Sequence, residues 1–175
     1  MQPPFLIRKD VHLRPLQPND AAAWLKYLTD PVAVELTSYD VQSIETVNTM
    51  IAEYANRGAY ELTRWAIARL PEDVLIGTCG FHSWSSRDRR AELGYDLSPE
   101  SWGRGIATDA VAAAVNAAFK DTALNRVDAF VMVENVGSQR VLEKCGFERE
   151  GRLARYRNCR GNFRDFYLYA RVRAA

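Results

Sequence analysis

The sequence predicts an α/β fold: one domain over residues 1–175, core about 10–172, with helices flanking a mixed and mostly antiparallel sheet. Three observations lead there. Period-two alternation marks a strand near the start and three more in succession through the middle. Helical spacing marks two helices between them and an alanine-rich helix after them. Strand, helix and strand patterns then continue to the C-terminus, an order that fits a layered α/β sheet.

Val11-His12-Leu13-Arg14-Pro15-Leu16 alternates apolar and polar residues and meets proline, as a first strand would. Asn19 or Asp20 can cap a helix through Leu28 with Ala23, Trp24, Tyr27 and Leu28 on its buried stripe, stopped by Asp30-Pro31. Ser43 can cap a second helix carrying Ile44, Val47, Ile51 and Tyr54 at helical spacing, closed by Gly58. The period then changes. Tyr60 to Leu70 and Val74 to Phe81 read as strands around the Pro71-Glu72-Asp73 turn, and Ala91 to Leu97 as a third after the polar turn Ser85 to Arg89. Thr108 to Phe119 is a helix with Val111, Val115, Ala118 and Phe119 on one face. Val127 to Val133 is apolar throughout enough to be a strand buried on both faces. A short helix, Ser138 to Lys144, stops at Cys145-Gly146, and Leu153 to Arg157 and Phe163 to Val172 supply the last strands.

The totals exclude several classes. At 47% hydrophobic and 26% charged, 175 residues bury a core unaided. A formal net charge of +1 gives no overall field toward DNA or an anionic membrane. No stretch approaches the ~18 consecutive apolar residues of a membrane span, and the start has too short an apolar run for a signal peptide. Cys79, Cys145 and Cys159 are odd in number and lack metal-ligand spacing, so the expectation is a reduced, cytoplasmic setting with no metal.

The chemistry gathers in Ser101-Trp102-Gly103-Arg104-Gly105-Ile106-Ala107, which lies between the third middle strand and the alanine-rich helix. Gly103 and Gly105 let the backbone turn tightly, Ile106 and Ala107 open the helix, and loop amides then point with the helix N-terminus. That makes an anion site, suited to phosphate or pyrophosphate, to which Arg104 can add a charge-assisted contact. Alone, such a loop can equally be a simple helix cap. It is neither GxGxxG nor a P-loop.

Four stretches stand in order around it: Leu75-Ile76-Gly77 with Gly80-Phe81, Ala91-Glu92-Leu93-Gly94-Tyr95, Asn135-x-x-Ser138 with Leu142-Glu143-Lys144-x-Gly146-Phe147, and Glu148-Arg149-Glu150-Gly151. With Trp102-Gly103-Arg104-Gly105-Ile106-Ala107 they resemble the GCN5-related N-acetyltransferase (GNAT) superfamily, whose signature is Gln/Arg-x-x-Gly-x-Gly/Ala. Trp at the first signature position departs from the wide pattern and resembles the branch that acetylates ribosomal-protein N-termini (RimJ/RimL type). The resemblance implies a sheet with splayed fourth and fifth strands. It implies acetyl-coenzyme A as co-substrate and no metal, with the pyrophosphate on the amides of Gly103, Arg104, Gly105, Ile106 and Ala107, beside Trp102 and Thr108. The pantetheine arm would lie between the splayed strands against the backbone of Tyr95, Asp96 and Leu97, with Asn135 and Ser138 opposite and Arg140 and Lys144 toward the phosphates. The implied reaction is direct attack by a primary amine while both substrates are bound.

Glu92 is the first candidate base, Glu134 the second, and Ser138 the candidate acid or thiolate stabiliser. Each has a plainer reading: an outward-facing strand carboxylate, a loop carboxylate, and a helix N-cap. Leu142 stands where many relatives place a tyrosine, and Tyr156 is an alternative acid. His82, Trp84, Tyr39 and Trp65 can line the acceptor side, set by residues 31–41 and 82–90. The acceptor is expected to be a protein N-terminus; a polyamine, amino acid or antibiotic, or a non-catalytic coenzyme-binding module, remains open. Arg149 to Arg164 is a solvated basic face, or holds the coenzyme 3′-phosphate, an acidic acceptor or the ribosome. A homodimer also stays open.

Overall fold

In a computed structural model, which describes residues 1–56 and 63–174, one seven-stranded sheet runs in the order β1-β2-β3-β4-β5-β7-β6. Its strands are β1 (Val11–Pro15), β2 (Thr63–Arg69), β3 (Val74–Ser85), β4 (Arg90–Leu97), β5 (Arg126–Met132), β6 (Glu148–Cys159) and β7 (Asn162–Val172). The helices are α1 (Ala21–Leu28), α2 (Pro31–Glu35), α3 (Ile44–Asn56), α4 (Ile106–Asp121) and α5 (Val136–Lys144). Strand pairs are antiparallel except β4 with β5. The predicted closure at Gly58 and the start of the predicted strand at Tyr60 fall outside the described residues.

Alternation sends the side chains of β2 and β3 to two different cores. On one face Trp65, Ile67, Ala91 and Leu93 pack against α4, whose Ile106, Ala110, Val111, Ala114, Val115 and Ala118 are each at most 1% exposed. Alanine at three of those positions lets the helix lie close, while each buried valine contributes about 1.5–3 kcal/mol. On the other face Ala66 and Leu75 meet Trp24, Val47 and Ile51 of α1 and α3.

Three boundaries differ from the sequence reading for physical reasons. Asp30-Pro31 ends α1 but also begins α2: the Asp30 carboxylate accepts from the amides of Val32 and Ala33, and Pro31 takes the first turn. Asn135, not Ser138, caps α5, its Oδ1 accepting from the Ser138 amide at 2.9 Å. Asp20 occupies the cap position of α1 but gives its carboxylate to Arg14 at 2.8 Å instead.

The feature that positions the site is a split. β4 pairs with β5 only through Arg90, Ala91 and Glu92, against Arg126, Val127 and Asp128. Beyond Glu92, Leu93 to Leu97 keep β3 on one side and Ala129 to Met132 keep β7 on the other, while the two strands part from each other.

Candidate active site

Two cavities open from this split. The larger, about 500 Å³, lies against the glycine loop; the smaller, about 320 Å³, lies against β2, β3 and the 36–39 loop. They share Leu36, Thr37, Tyr95, Asn135 and Ser138 as common wall. At the junction Tyr95 Oη stands 2.7 Å from Ser138 Oγ and donates to the Ser138 carbonyl at 3.0 Å. Burial pushes the Tyr95 phenol well above its ordinary range, so it keeps its proton at neutral pH.

Gly103 (φ 73°) and Gly105 (φ 77°) both adopt the left-handed conformation, and Gly105 directly precedes α4. Gly103, Gly105, Ile106, Ala107 and Thr108 line the larger cavity with Trp102, whose indole N–H donates to the Leu97 carbonyl at 2.8 Å. Arg140 and Lys144 line it from α5. A sixteen-residue helix aims its N-terminal amides into this cleft, an arrangement that attracts phosphate oxygens.

Two loop contacts run against expectation. The Arg104 side chain is not in the cavity wall; it turns outward and is 3.8 Å from Asp10. The loop is held instead by Arg8, whose Nη1 donates to the Arg104 carbonyl at 2.9 Å and to Asp109 at 3.1 Å. Nothing in the spacing of the first ten residues signals that clasp.

Asp96 also differs. Its carbonyl is turned toward β3, where a Cβ on Gly77 would stand 2.5 Å from it, so Tyr95 and Leu97 are the residues whose backbone faces the split. The Asp96 carboxylate is mostly enclosed, 12% of the side chain staying exposed. It accepts from Arg64 Nη2 at 2.6 Å, from the Thr78 hydroxyl at 2.8 Å and from the Tyr27 hydroxyl. Arg64 lies within 5.9 Å of the ring centres of Trp24, Tyr39 and Tyr54.

The smaller cavity is lined by Glu92, His82, Arg64, Arg157 and Tyr39. Glu92 and His82 are cross-strand partners, so their side chains share a face. Glu92 Oε1 is 3.0 Å from His82 Nε2 and accepts from Arg157 Nη2 at 2.9 Å. Burial alone would raise the Glu92 carboxyl, but the hydrogen bonds and charges of His82 and Arg157 outweigh it and hold the carboxyl below its ordinary value. Glu134, the second candidate base, lines neither cavity; it is half exposed and faces Arg164 at 3.6 Å. Trp65 and Trp84 pack around Phe81 in the core, and Tyr156 stacks on Phe130 outside both cavities.

The sequence places Arg157 in a basic stretch that reads first as a solvated face, whereas in the structure it lines the smaller cavity. Between the pairs Leu153–Phe166 and Arg157–Arg164, three residues of β6 oppose Asp165 alone, and Arg155 takes φ 50°. The bulge re-aims Arg157 at the split, among the rings of Phe130, Tyr156 and Phe166. Arg160, at the first position of the two-residue hairpin turn with Gly161, donates to the carbonyls of Thr37 at 3.0 Å and Tyr39 at 2.6 Å. With Asn135 Nδ2 on the Leu36 carbonyl at 3.0 Å, it fixes the wall shared by both cavities.

Comparison with known proteins agrees with this architecture. Residues 10–148 match the Acetyltransferase (GNAT) domain family. The chain is 34% identical to the uncharacterized N-acetyltransferase YoaA of Bacillus subtilis, over 97% of both chains. Mycobacterium smegmatis RimJ, solved in complex with CoA-disulfide, superposes with a TM-score of 0.82 at 27% identity, covering 97% of this chain and 85% of that one. Spermidine N-acetyltransferase of Vibrio cholerae, solved with CoA and spermine, shares the fold at a TM-score of 0.81 and 20% identity, covering 94% and 96%. A family match across most of the sheet, joined to end-to-end similarity with YoaA, shows that the chain belongs to the GNAT acetyltransferases.

Proposed function

We propose that the chain transfers the acetyl group of acetyl-coenzyme A to a protein N-terminal amine, by direct attack with both substrates bound. The observation that carries this is the meeting of the two cavities at Tyr95 and Ser138. The larger cavity offers helix-start amides to the pyrophosphate, with Arg140 and Lys144 toward the other phosphates and the Tyr95 and Leu97 backbone along the arm. The smaller brings the amine past Glu92, which takes its proton directly or through water. Ser138 Oγ–H donates to the departing sulfur, positioned by the Tyr95 hydroxyl, whose own proton stays on the Ser138 carbonyl.

The state of Glu92 favours this acceptor over a polyamine. A carboxylate held ionised by two donors is a weak base. An α-amino group titrates near 8 and is partly neutral already, whereas an alkylamine near 10.4 needs far more help. The resemblance of Trp102-Gly103-Arg104-Gly105-Ile106-Ala107 to the branch that acetylates ribosomal-protein N-termini supports the same side.

The test is thiol release from acetyl-coenzyme A with peptides of varied first residue, and with spermidine and an aminoglycoside. Peptides are expected to turn over fastest. Ser138→Ala and Tyr95→Phe together should lower kcat about 10²-fold or more while coenzyme binding persists. Release at background with every amine would overturn the reading.

A further inference from the structure

The acceptor cavity has an unusual charge balance for an amine site. Among the described residues its walls carry one carboxylate, Glu92, against two guanidiniums, Arg64 and Arg157, and the imidazole of His82. Asp96 balances Arg64 at 2.6 Å but lines the other cavity, not this one. Glu92 is already shared between His82 and Arg157 through one oxygen. A polycation entering here meets no second anionic anchor among the described lining residues and two fixed cations instead.

Both guanidiniums still have an edge toward the cavity. Arg64 spends Nε on Thr78 and Nη2 on Asp96, while Nη1 stands against Gly94, where even a Cβ would come within 3.0 Å of it. Gly94, whose Cβ would also come within 3.0 Å of the His82 ring, leaves room for that edge in the wall, with 3% of the Arg64 side chain exposed. Arg157 gives Nη2 to Glu92 and is otherwise braced by ring faces, which hold a guanidinium in place without using its donors. An amine that carried its own carboxylate would match both halves of this wall: nitrogen toward Glu92, carboxylate toward the Arg157–Arg64 edge.

We infer that the acceptor is an amine bearing a nearby carboxylate, a peptide whose first residue is aspartate or glutamate, and that Arg157 is the residue that selects it. This rests on the acetyltransfer reading above. Fixed guanidiniums recognise a carboxylate by paired, charge-assisted hydrogen bonds that its neutral amide isostere cannot supply.

The experiment compares kcat/KM for four otherwise identical peptides beginning with Glu, Gln, Ala and Lys, with spermidine and free glutamate alongside. Glu should exceed Gln by about tenfold or more, the worth of one charge-assisted hydrogen bond, and Lys and spermidine should be poorest. Arg157→Gln should collapse the Glu-to-Gln ratio toward one; binding of coenzyme A by calorimetry, in the other cavity, shows that the variant is folded. Arg157→Lys should restore part of the ratio. Equal rates for Glu and Gln, or a preference for Lys or spermidine, would overturn the inference while leaving acetyltransfer standing. A ratio unchanged in Arg157→Gln would remove Arg157 as its source. Free glutamate outrunning the Glu peptide would support carboxylate selection but refute a peptide acceptor. No release with any amine would instead sink the acetyltransfer reading itself.

Discussion

Replacing Asp96 with asparagine keeps the shape of the side chain and deletes its charge, and the buried network around it makes the cost calculable. Arg64 is 6% exposed, and Asp96 is its ion-pair partner, 2.6 Å away. Asparagine would either turn an N–H₂ donor against Arg64 Nη2 or abandon the Thr78 and Tyr27 donors. Breaking one side of such a pair leaves an uncompensated charge and costs about 3–5 kcal/mol. The rings of Trp24, Tyr39 and Tyr54 offset part of that, so the lower end, about 3 kcal/mol, is expected. At roughly 2–4 °C per kcal/mol for a chain of this size, Tm should fall by about 10 °C. Urea unfolding followed by circular dichroism measures the free-energy loss, and thermal unfolding the shift in Tm. The decisive variant is the double Arg64→Met/Asp96→Asn, which removes both charges and places an adaptable apolar chain among the same rings; it should recover most of the loss. A single-variant loss below about 1 kcal/mol, or a double variant at the sum of the two losses, would refute the account of a coupled pair.

Other predictions follow from the loop and the acceptor wall. A Cβ on Gly103 would meet nothing within 4 Å, so only the positive φ penalises substitution there; Gly103→Asn should weaken coenzyme A binding less than Gly103→Val by calorimetry, since Asn tolerates that conformation. Glu92 has a folded carboxyl below its ordinary 4.5, so its pairing with His82 and Arg157 stabilises the fold above that pH and is lost as pH falls through the lower folded value. Glu92→Gln should therefore flatten the acid side of a stability–pH profile below about pH 4.5, measured by thermal unfolding, and lower kcat at pH 7. Arg160→Ala frees the carbonyls of Thr37 and Tyr39 and should raise KM for the acceptor several-fold, with a smaller change in kcat, in steady-state assays.

Much of this was legible in the chain because period and chemistry agreed. The alternation Ala91-Glu92-Leu93-Gly94-Tyr95 puts Ala91 and Leu93 in the core and leaves Glu92 and Gly94 on the opposite face, where the acceptor cavity lies. The glycines of the loop needed positive φ, and they have it. What stayed hidden depends on contacts distant in sequence. Five residues of α2 are too few for periodicity, and Asp30-Pro31 is as good a start as a stop. Arg157 looks like one arginine among several until a bulge, which no residue type announces, turns it inward. The Arg8 clasp joins residues about a hundred positions apart. Arg104 carried the right charge in the right loop and still faces away, because its backbone, not its side chain, is what the clasp holds.

The parting of β4 from β5 has a further consequence for how the sheet holds together. A seven-stranded sheet ordinarily exposes two edges; this one has two more in its interior, along Leu93–Leu97 and Ala129–Met132. Exposed edges invite a foreign strand, but these converge on three residue pairs at one end, so a chain segment cannot run through. A short ligand carrying its own amides can lie there, and it would supply the missing rung between the β1–β4 and β5–β7 halves. The amides of those inner edges should then exchange with solvent fastest in the empty protein and slow together when the cleft is filled, the seam held by three residue pairs being completed only by the ligand.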